Sequence, residues 1–249
     1  HNHDEYSERL SEIFRQSKES LIITNAHRIN NGERPLLGAC DNDFFFVEKQ
    51  SSEEIKSLIV DFVAKRLPKR YNADPLEDIQ VTSCTRKGAL GTYELNAMFQ
   101  NALNPKSPKK TEKKYGSVIF REGDKVMQIK NNYHLEWERM TDGEKGLGVF
   151  NGDVGIVKEI NETAKTVLVE FDDSRKVTYP LGGLDELELA YAITIHKSQG
   201  SEYPAVIMPL LTGPRMLFNR NLLYTGVTRA KNCVTILGSK ETVMQMIVN

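Results

Sequence analysis

Two polar segments near the end of the chain carry the residue types that bind phosphate. Residues 191–203 read YAITIHKSQGSEY, and residues 221–231 read NLLYTGVTRAK. A short apolar run with β-strand character follows each segment, which predicts that both place their polar side chains at the edge of a sheet. Such groups suit the binding of a nucleotide or of a phosphate backbone.

Arg229 is the strongest chemical candidate in the second segment. A guanidinium group stays charged and donates paired N–H bonds to phosphate oxygens. An arginine that is held at a sheet edge and aimed across a cleft stabilises the charge that builds on a γ-phosphate during hydrolysis. An isolated arginine is more often a surface ion-pair partner, so the context LLYTGVTRAK is what favours an arginine finger here.

The first segment offers hydrogen-bond donors directly after a predicted strand. Thr194, His196, Lys197 and Ser198 suit the phosphate oxygens of a single strand, where backbone contacts fix position without reading sequence. Gly200 permits close approach of the backbone to a ligand. His196 alone is more often a structural histidine, and no His or Cys at ligand spacing supports a metal role.

Alternating strands and helices are predicted to position these residues. Such alternation indicates a parallel α/β sheet. The predicted helices are 5–15, 51–67 (ended by Pro68), 92–103, 219–228 and 240–248, and the predicted strands are 21–24, 44–47, 79–82, 190–194, 205–208 and 234–237.

A different pattern interrupts the α/β alternation. Three short strands with tight turns, at 152–160, 166–171 and 175–179, predict a small SH3-type β-barrel. The predicted boundaries are 148–188 for the barrel, with 1–147 and 189–249 as the two parts of the large domain. Before the barrel, residues 104–116 carry five lysines and read as an exposed loop, more often a solvated charge run than a DNA contact.

Composition sets outer limits on the function. The 249 residues are 39% hydrophobic and 27% charged, with a net charge of −1, which suits a domain with a real core. We expect no membrane partner, because the sequence has neither a long apolar run nor a charged-then-apolar leader. Three dispersed cysteines without CxxC spacing suit a cytoplasmic protein.

The two segments together resemble the last two motifs of superfamily 1 helicases, most closely the RecD/TraA type, the exodeoxyribonuclease V alpha subunit family. The resemblance extends from about residue 10 to 237, with the motifs in family order. It implies the C-terminal motor half of an ATP-dependent 5′→3′ DNA helicase acting in recombination and repair. The implied fold is a RecA-like parallel-sheet domain of the P-loop NTPase type, without the P-loop and with an inserted SH3-type β-barrel.

The resemblance also assigns roles to single residues. Arg229 falls on the arginine of the last motif, and Arg15, within EIFRQ, falls on a second arginine that reaches the γ-phosphate. Glu202 falls on the acid that contacts the nucleotide ribose, and Gly200 is placed in the same ATP site. The DNA contacts that it implies are Thr194, His196, Lys197 and Ser198, with Thr85, Arg86 and Asn96 from the segment TSCTRKGALGTYELN. For Arg15, Thr85, Arg86 and Asn96, structural and functional roles stay equally open.

Two sequence elements that an ATPase needs are absent from this sequence. There is no GKS or GKT phosphate loop, and no apolar strand ends in Asp-Glu to hold Mg²⁺. The resemblance therefore implies that ATP and Mg²⁺ are cofactors, that a first motor domain N-terminal to this chain holds the Mg²⁺, and that the chain alone is inactive as an ATPase.

The expected partners are single-stranded DNA and that N-terminal motor domain, while other nuclease or helicase subunits are left open. The alternative is a non-catalytic DNA- or protein-binding module derived from a helicase domain. Arg15, Glu202 and Arg229 argue against it, because a binding module needs no γ-phosphate-sensing arginine. A strand, GKT loop and helix upstream would distinguish the two interpretations.

Overall fold

The computed structural model describes residues 19–214 and 216–249. The predicted helix at 5–15, together with Arg15, lies outside the described residues. The chain divides into two compact units. One comprises the described residues up to Met98 together with Ala192–Asn249, and is called the α/β unit below. The other, Phe99–Tyr191, is called the β unit.

The elements follow one another in this order. The first part of the chain contains α1 (Leu21–Asn30), β1 (Phe44–Glu48), α2 (Ser52–Asp61), a π-helical turn (Phe62–Arg66), α3 (Leu67–Tyr71), β2 (Ile79–Ser83) and α4 (Thr92–Leu103). The middle part contains β3 (Glu112–Tyr115), β4 (Val118–Arg121), β5 (Lys125–Gln128), β6 (Asn132–Arg139), β7 (Lys145–Val149), β8 (Val154–Asn161), β9 (Thr166–Phe171), β10 (Arg175–Pro180), a 3₁₀ helix (Leu181–Glu186) and β11 (Leu187–Leu189). The last part contains β12 (Ala192–Thr194), a 3₁₀ turn (His196–Ser198), β13 (Tyr203–Leu210), α5 (Arg220–Thr228), β14 (Ala230–Gly238) and α6 (Lys240–Val248).

A five-stranded sheet forms the centre of the α/β unit. Its strand order is β1-β14-β13-β2-β12, and every neighbouring pair is parallel. Strand β13 is buried at all but its first position, as expected for a parallel strand that is covered on both faces. Helices α1, α5 and α6 pack on one face, with a core that includes Ile29, Leu223, Met246, Val206 and Val234. None of the described helices has the length and hydropathy of a membrane span.

Most of the predicted α/β elements are confirmed. The helices at 92–103, 219–228 and 240–248 appear within one residue of the prediction, and so do the starts of the strands at 44 and 79. The strands at 205–208 and 234–237 appear as the longer β13 and β14. The alternation of strand and helix was therefore a sound guide to this part of the chain.

The strand predicted at 21–24 is wrong, because these residues begin helix α1. Ile22, Ala26 and Ile29 are buried at helical spacing on one face. The Ser20 hydroxyl accepts a hydrogen bond from the backbone N–H of Ile23, which caps the first turn. A four-residue apolar run does not distinguish a strand from a buried helix, whereas the serine cap before it was the informative signal.

Pro68 does not end the second helix as predicted. The helical path widens into a π turn at Phe62–Arg66, where the Leu67 N–H bonds to the Phe62 carbonyl, and then continues as α3. This break in the pattern of α-helical hydrogen bonds accommodates Pro68. Proline has no backbone N–H to donate, and in a regular α-helix its ring would clash with the carbonyl four residues earlier. The helix ends instead at Tyr71, and Asn72, which caps it, has a φ of 55°.

The β unit contains a seven-stranded antiparallel sheet. Its order is β11-β5-β8-β9-β10-β6-β7, and a separate hairpin pairs β3 with β4. Buried side chains of the strands, including Phe120, Val157, Val169, Val177 and Tyr179, form its core. The predicted strands at 166–171 and 175–179 are confirmed as β9 and β10.

The β unit is larger than the sequence indicated. The predicted barrel limits of 148 and 188 both lie inside it, because β5, β6 and most of β7 precede residue 148 and belong to the same sheet. The loop predicted at 104–116 also contains β3, which hydrogen-bonds to β4. Its lysines hid this strand, since β-propensity and hydrophobic alternation are both weak there.

A buried carboxylate organises the start of the β unit. Asp124 is fully buried, and its two oxygens accept hydrogen bonds from Gln100 Nε2 (2.7 Å), Asn104 Nδ2 (2.8 Å) and the Tyr191 hydroxyl (2.6 Å). The backbone N–H of Arg121 is a fourth donor, at 2.7 Å. Burial and the neighbouring Asp124 charge raise the pKa of Tyr191 above its ordinary value.

Candidate nucleotide and nucleic-acid site

The carboxyl ends of strands β2 and β12 bring two of the predicted DNA-binding segments together. The strands are parallel neighbours, with Thr194 level with Ser83, and the Ile195 N–H donates to the Ser83 carbonyl at 2.9 Å. The loop after Ser83 and the turn His196–Ser198 therefore leave the sheet side by side. Residues more than a hundred positions apart in sequence meet at one edge for this reason.

A pocket of about 730 Å³ opens at this edge. Among the described residues that line it, four are basic and none is acidic: Arg86, Lys87, His196 and Lys197. Thr85 and Thr194 add hydroxyl groups, so five of the predicted DNA contacts share this pocket. The remaining lining is small or apolar and comes mainly from the end of β13, at Pro209, and from the loop after it, including Leu211, Gly213, Pro214, Leu217 and Phe218.

The turn that presents His196 and Lys197 is held by its own neighbours. The Thr194 hydroxyl accepts a hydrogen bond from the Lys197 N–H at 3.3 Å. Ser198 is fully buried, and its hydroxyl donates to the Ile195 carbonyl at 2.6 Å. Ser198 does not line the pocket, so the geometry supports a positioning role for it, while its predicted DNA contact stays a prediction.

The loop between β2 and α4 closes on itself. The Ser83 hydroxyl donates to the Leu90 carbonyl at 2.6 Å, and the Thr85 hydroxyl donates to the Lys87 carbonyl at 3.0 Å. The first N–H groups of α4, from Thr92 and Tyr93, bond to loop carbonyls rather than pointing at a ligand. Phosphate binding here would therefore rely on the Arg86 and Lys87 side chains and not on the helix terminus.

Asn96 is buried and its amide is engaged within the α/β unit. Its Nδ2 donates to the Ala192 carbonyl at 2.9 Å, and its Oδ1 accepts from the Ala192 N–H at 2.8 Å. This pair of bonds ties α4 to the first residue of β12. A DNA contact by Asn96 stays a prediction, and the geometry supports a structural role, which the sequence left equally open.

Arg229 lies directly after helix α5, with its guanidinium folded over the segment that precedes β13. Nη1 donates to the Ser201 carbonyl at 3.0 Å, Nε donates to the Thr225 carbonyl at 3.2 Å, and Nη2 donates to the Thr228 hydroxyl at 3.3 Å. A guanidinium has five N–H donors, so these three bonds leave two for a ligand. Arg229 is thus oriented by its own unit and keeps donors that a phosphate could use.

The other predicted ATP contacts lie beside Arg229. Its side chain contacts Ser201, the residue between Gly200 and Glu202, and its carbonyl accepts from the Tyr203 N–H at 2.9 Å. Glu202 is exposed. Gly200 has a φ of 82°, and a Cβ added there would meet no atom within 4 Å, so its backbone conformation, rather than crowding, requires glycine.

The pocket residues and the residues beside Arg229 lie at opposite ends of the same sheet. Strand β13 starts at the amino end, where Ala205 is level with Ile79, and Thr194 is level with Ser83 at the carboxyl end. Four residues of strand separate these levels, a distance of about 13 Å. The segment 195–202 spans that distance and connects the basic pocket to the residues beside Arg229.

Metal and thiol chemistry find no support in the part of the chain that the structure describes. No group of three or more His, Cys, Asp or Glu side chains there is arranged to hold a metal ion. Cys84 lines the pocket, but burial raises the pKa of its thiol to about 12. The thiol is therefore protonated at neutral pH and is a poor nucleophile.

Sequence reasoning missed two residues of the pocket, Lys87 and Phe218. Lys87 follows the candidate Arg86 within the same TRKG turn, and that adjacency was an available signal. Phe218 comes from the connection between β13 and α5, and its ring lies against the backbone at Gly213. No periodicity identifies a loop residue of this kind, because its position depends on the packing of the loop.

The fold and the site together define the class of domain to which this chain belongs. A parallel α/β sheet without a phosphate loop, a basic pocket at its carboxyl edge and an oriented arginine after α5 are the features of a second motor domain of RecA-like type. A crystal structure of Pif1 helicase from Bacteroides in complex with ADP-AlF3 and ssDNA has the same fold, with a TM-score of 0.51 at 18% identity over 94% of this chain and 52% of that chain.

The sequence comparisons narrow the class to a family. Residues 95–171 match the family described as the ATP-dependent RecD-like DNA helicase SH3 domain, and residues 189–237 match the UvrD-like helicase C-terminal domain. The ATP-dependent RecD2 DNA helicase of Deinococcus radiodurans is 30% identical over 93% of this chain and 28% of its own length. The RecBCD enzyme subunit RecD of Buchnera aphidicola is 26% identical over 96% of this chain and 40% of its own length.

The chain belongs to the RecD-like family of superfamily 1 helicases. The predicted fold class, a RecA-like parallel-sheet domain interrupted in sequence by an SH3-type β-domain, is confirmed. The chain spans less than half the length of each of these two relatives, 28% of the first and 40% of the second.

Proposed function

We propose that this chain is the C-terminal motor half of an ATP-dependent DNA helicase of the RecD type, which translocates along single-stranded DNA. The observation that carries the proposal is the pocket at the carboxyl edge of the sheet, whose described lining has four basic side chains and no acidic one. The relative in Deinococcus radiodurans is named an ATP-dependent RecD2 DNA helicase, which supports the same function.

The pocket suits a single strand of DNA on two counts. Arg86, Lys87 and Lys197 supply positive charge for a phosphate backbone, while Thr85, Thr194 and His196 supply further hydrogen-bond donors. The lining also contains Phe218, Pro214 and Leu217, which offer apolar surface to sugars and bases. Contacts of this kind hold a strand without selecting its sequence, as a translocating motor requires.

The ATP site is proposed at the other end of the sheet, beside Arg229. Two guanidinium N–H groups remain for the γ-phosphate, and the exposed Glu202 is available to the ribose. The chain itself offers one wall of this site. Mg²⁺, which would neutralise charge on the phosphates, is assigned to a first motor domain N-terminal to this chain, together with the phosphate loop.

The connection 194–202 supports a coupling of the two sites. It contains pocket residues at its start and the Arg229 contact, Ser201, near its end. A shift of Ser201 on hydrolysis would be transmitted along a short, hydrogen-bonded path to His196 and Lys197. We infer that this segment relates nucleotide state to the grip on DNA.

The finer parts of the proposal follow from the family alone. These are the 5′→3′ direction, a role in recombination and repair, a cytoplasmic location, and association with nuclease or helicase subunits as in the relatives that are named RecBCD enzyme subunit RecD. Arg15 is proposed as a second γ-phosphate contact on the same basis. Strand-displacement assays with 5′- and 3′-tailed duplexes would determine the direction.

Binding of a dT oligonucleotide by the chain tests the pocket. Replacing Arg86 and Lys197 with glutamine should weaken binding roughly 10- to 30-fold at 0.1 M salt, because two phosphate contacts and their released counterions are lost. The matched control is Lys65→Gln with Lys69→Gln, two exposed lysines on the same unit with the same change in charge. Fluorescence anisotropy measures both variants. Equal loss of affinity in the two double variants would overturn the proposed pocket.

A further inference from the structure

The hairpin β3–β4 and the segment before it, residues 104–121, carry an unusual concentration of lysine. Five lysines lie between residues 106 and 114. Lys106, Lys109 and Lys114 are exposed, and Lys113 is half-buried. We call this segment of the β unit the lysine hairpin.

The lysine hairpin is held in a defined conformation. Arg121 is almost fully buried, and its Nε donates to Glu112 Oε1 at 2.7 Å while its Nη1 donates to the Asn104 carbonyl at 2.7 Å. Glu122 accepts from the Thr111 N–H at 2.8 Å. The exposed lysines are therefore displayed on an ordered frame, which lowers the entropy lost when a ligand binds.

The acidic residues of this segment are occupied in holding that frame. Glu112 pairs with Arg121, and Glu122 accepts from two backbone N–H groups, those of Thr111 and Ile160. Lys110 donates to the Asn104 side chain at 2.6 Å. Within the described residues, no ion pair connects Lys106, Lys109 or Lys114 to a carboxylate.

Four basic side chains elsewhere in the β unit do form ion pairs, whereas Lys145, Lys165 and Lys176 are isolated from one another in the sequence and form no cluster. Lys130 pairs with Asp185, Lys158 with Glu170, Arg139 with Glu144, and Arg175 with Asp173. Positive charge at these four positions is thus balanced by local acids. The lysine hairpin is a local excess of positive charge on a unit that is otherwise acidic or neutralised.

We propose that the lysine hairpin binds the phosphate backbone of DNA, as a contact surface separate from the pocket of the α/β unit. The proposal rests on the proposed helicase function and adds a second DNA contact to it. Phosphate binding is most favourable at ordered lysines that have no ion-pair partner. Each contact there releases condensed counterions from the DNA and breaks no existing ion pair. The surface would hold DNA without sequence preference and would be weakened by salt.

The test is the salt dependence of DNA binding by the chain. The variant Lys106→Gln, Lys109→Gln, Lys114→Gln should reduce the slope of log K against log salt by about 2 for a dT oligonucleotide or by about 3 for a duplex of equal length. Each change is compared with the full value expected for its own probe, and the probe that reaches that value identifies the strand form that the hairpin contacts. Affinity at 0.1 M salt should fall roughly 10- to 100-fold.

The matched control is Lys145→Gln, Lys158→Gln, Lys165→Gln, three exposed lysines spread over the same unit. It should change the slope little, and circular dichroism melting should show that both triple variants fold. An unchanged slope in the hairpin variant, or equal changes in both variants, would overturn the inference. If the Arg86 and Lys197 variant still loses affinity in that case, the pocket and the proposed function stand while the hairpin contact fails.

Discussion

Replacing Arg229 with alanine in the protein that includes the first motor domain should lower the kcat of DNA-stimulated ATP hydrolysis by about 10³-fold or more. Arginine fingers contribute factors of this size because they stabilise charge that develops in the transition state. The guanidinium is already oriented by Ser201, Thr225 and Thr228, so the expected loss is in kcat more than in binding. Steady-state ATPase assays at saturating ATP and single-stranded DNA measure it.

Two further variants test whether the loss of kcat depends on the guanidinium group of Arg229. Arg229→Lys keeps the charge but loses the planar fork, and should recover only a small part of the rate. Lys231→Ala removes an exposed cation two residues away on β14 and should leave kcat nearly unchanged. Affinity of the Arg229→Ala protein for a dT oligonucleotide should stay within a few-fold of the original. A kcat that falls less than tenfold would contradict the finger role.

Replacing Asp124 with alanine should lower the free energy of unfolding of the β unit by about 3–5 kcal/mol, because several buried donors lose their acceptor at about 1–3 kcal/mol each. The carboxylate accepts from Gln100, Asn104, Tyr191 and the Arg121 N–H, and its removal leaves these donors buried without an acceptor. The chain has one tryptophan, Trp137, and it lies in β6 of this unit. Its fluorescence during urea unfolding therefore reports the change.

The control for Asp124 is Asp185→Ala in the same unit. Asp185 is about half exposed and pairs with the exposed Lys130, so its loss should leave the urea midpoint almost unchanged. Tyr191→Phe is an intermediate case, since it removes one donor and leaves the carboxylate paired with the other three. An Asp124→Ala midpoint equal to that of Asp185→Ala would show that the network contributes little to stability.

The sequence was most informative where one periodic signal extended over a whole element. The helix α6 was predicted at its observed limits, and β2, β9 and β10 were predicted almost as well, because apolar periodicity and turn residues agreed there. The interrupted α/β alternation also indicated two units. Local sequence patterns were therefore sufficient to predict the fold class.

Local pattern failed where a tertiary contact decided the structure. Leu21–Thr24 is helical because its apolar face packs against α5 and the sheet, and Pro68 is tolerated because a π turn precedes it. Strand β6 has alternating apolar residues at Tyr133, Leu135 and Trp137, and β7 has Leu147 and Val149 two positions apart, so both carry a period-2 signal. The predicted barrel limits left this signal out, and the limits of the β unit were missed for that reason.

For the candidate site, the sequence proposed individual residues but not their arrangement. Motif order identified Thr85, Arg86, Thr194, His196 and Lys197, and the parallel pairing of β2 with β12 places them in one pocket. Sequence could not separate pocket residues from the supporting Ser198 and Asn96, whose polar atoms are engaged in backbone hydrogen bonds. Polarity alone does not reveal which partner a side chain will find.

The central claim is that this chain forms one wall of an ATP site that a first motor domain completes. The most direct measurement compares ATP hydrolysis, with and without single-stranded DNA, by the 249-residue chain and by the same chain joined to that domain. We predict DNA-stimulated turnover only in the joined protein, and none above background in the chain alone. DNA-stimulated turnover by the chain alone would contradict the account.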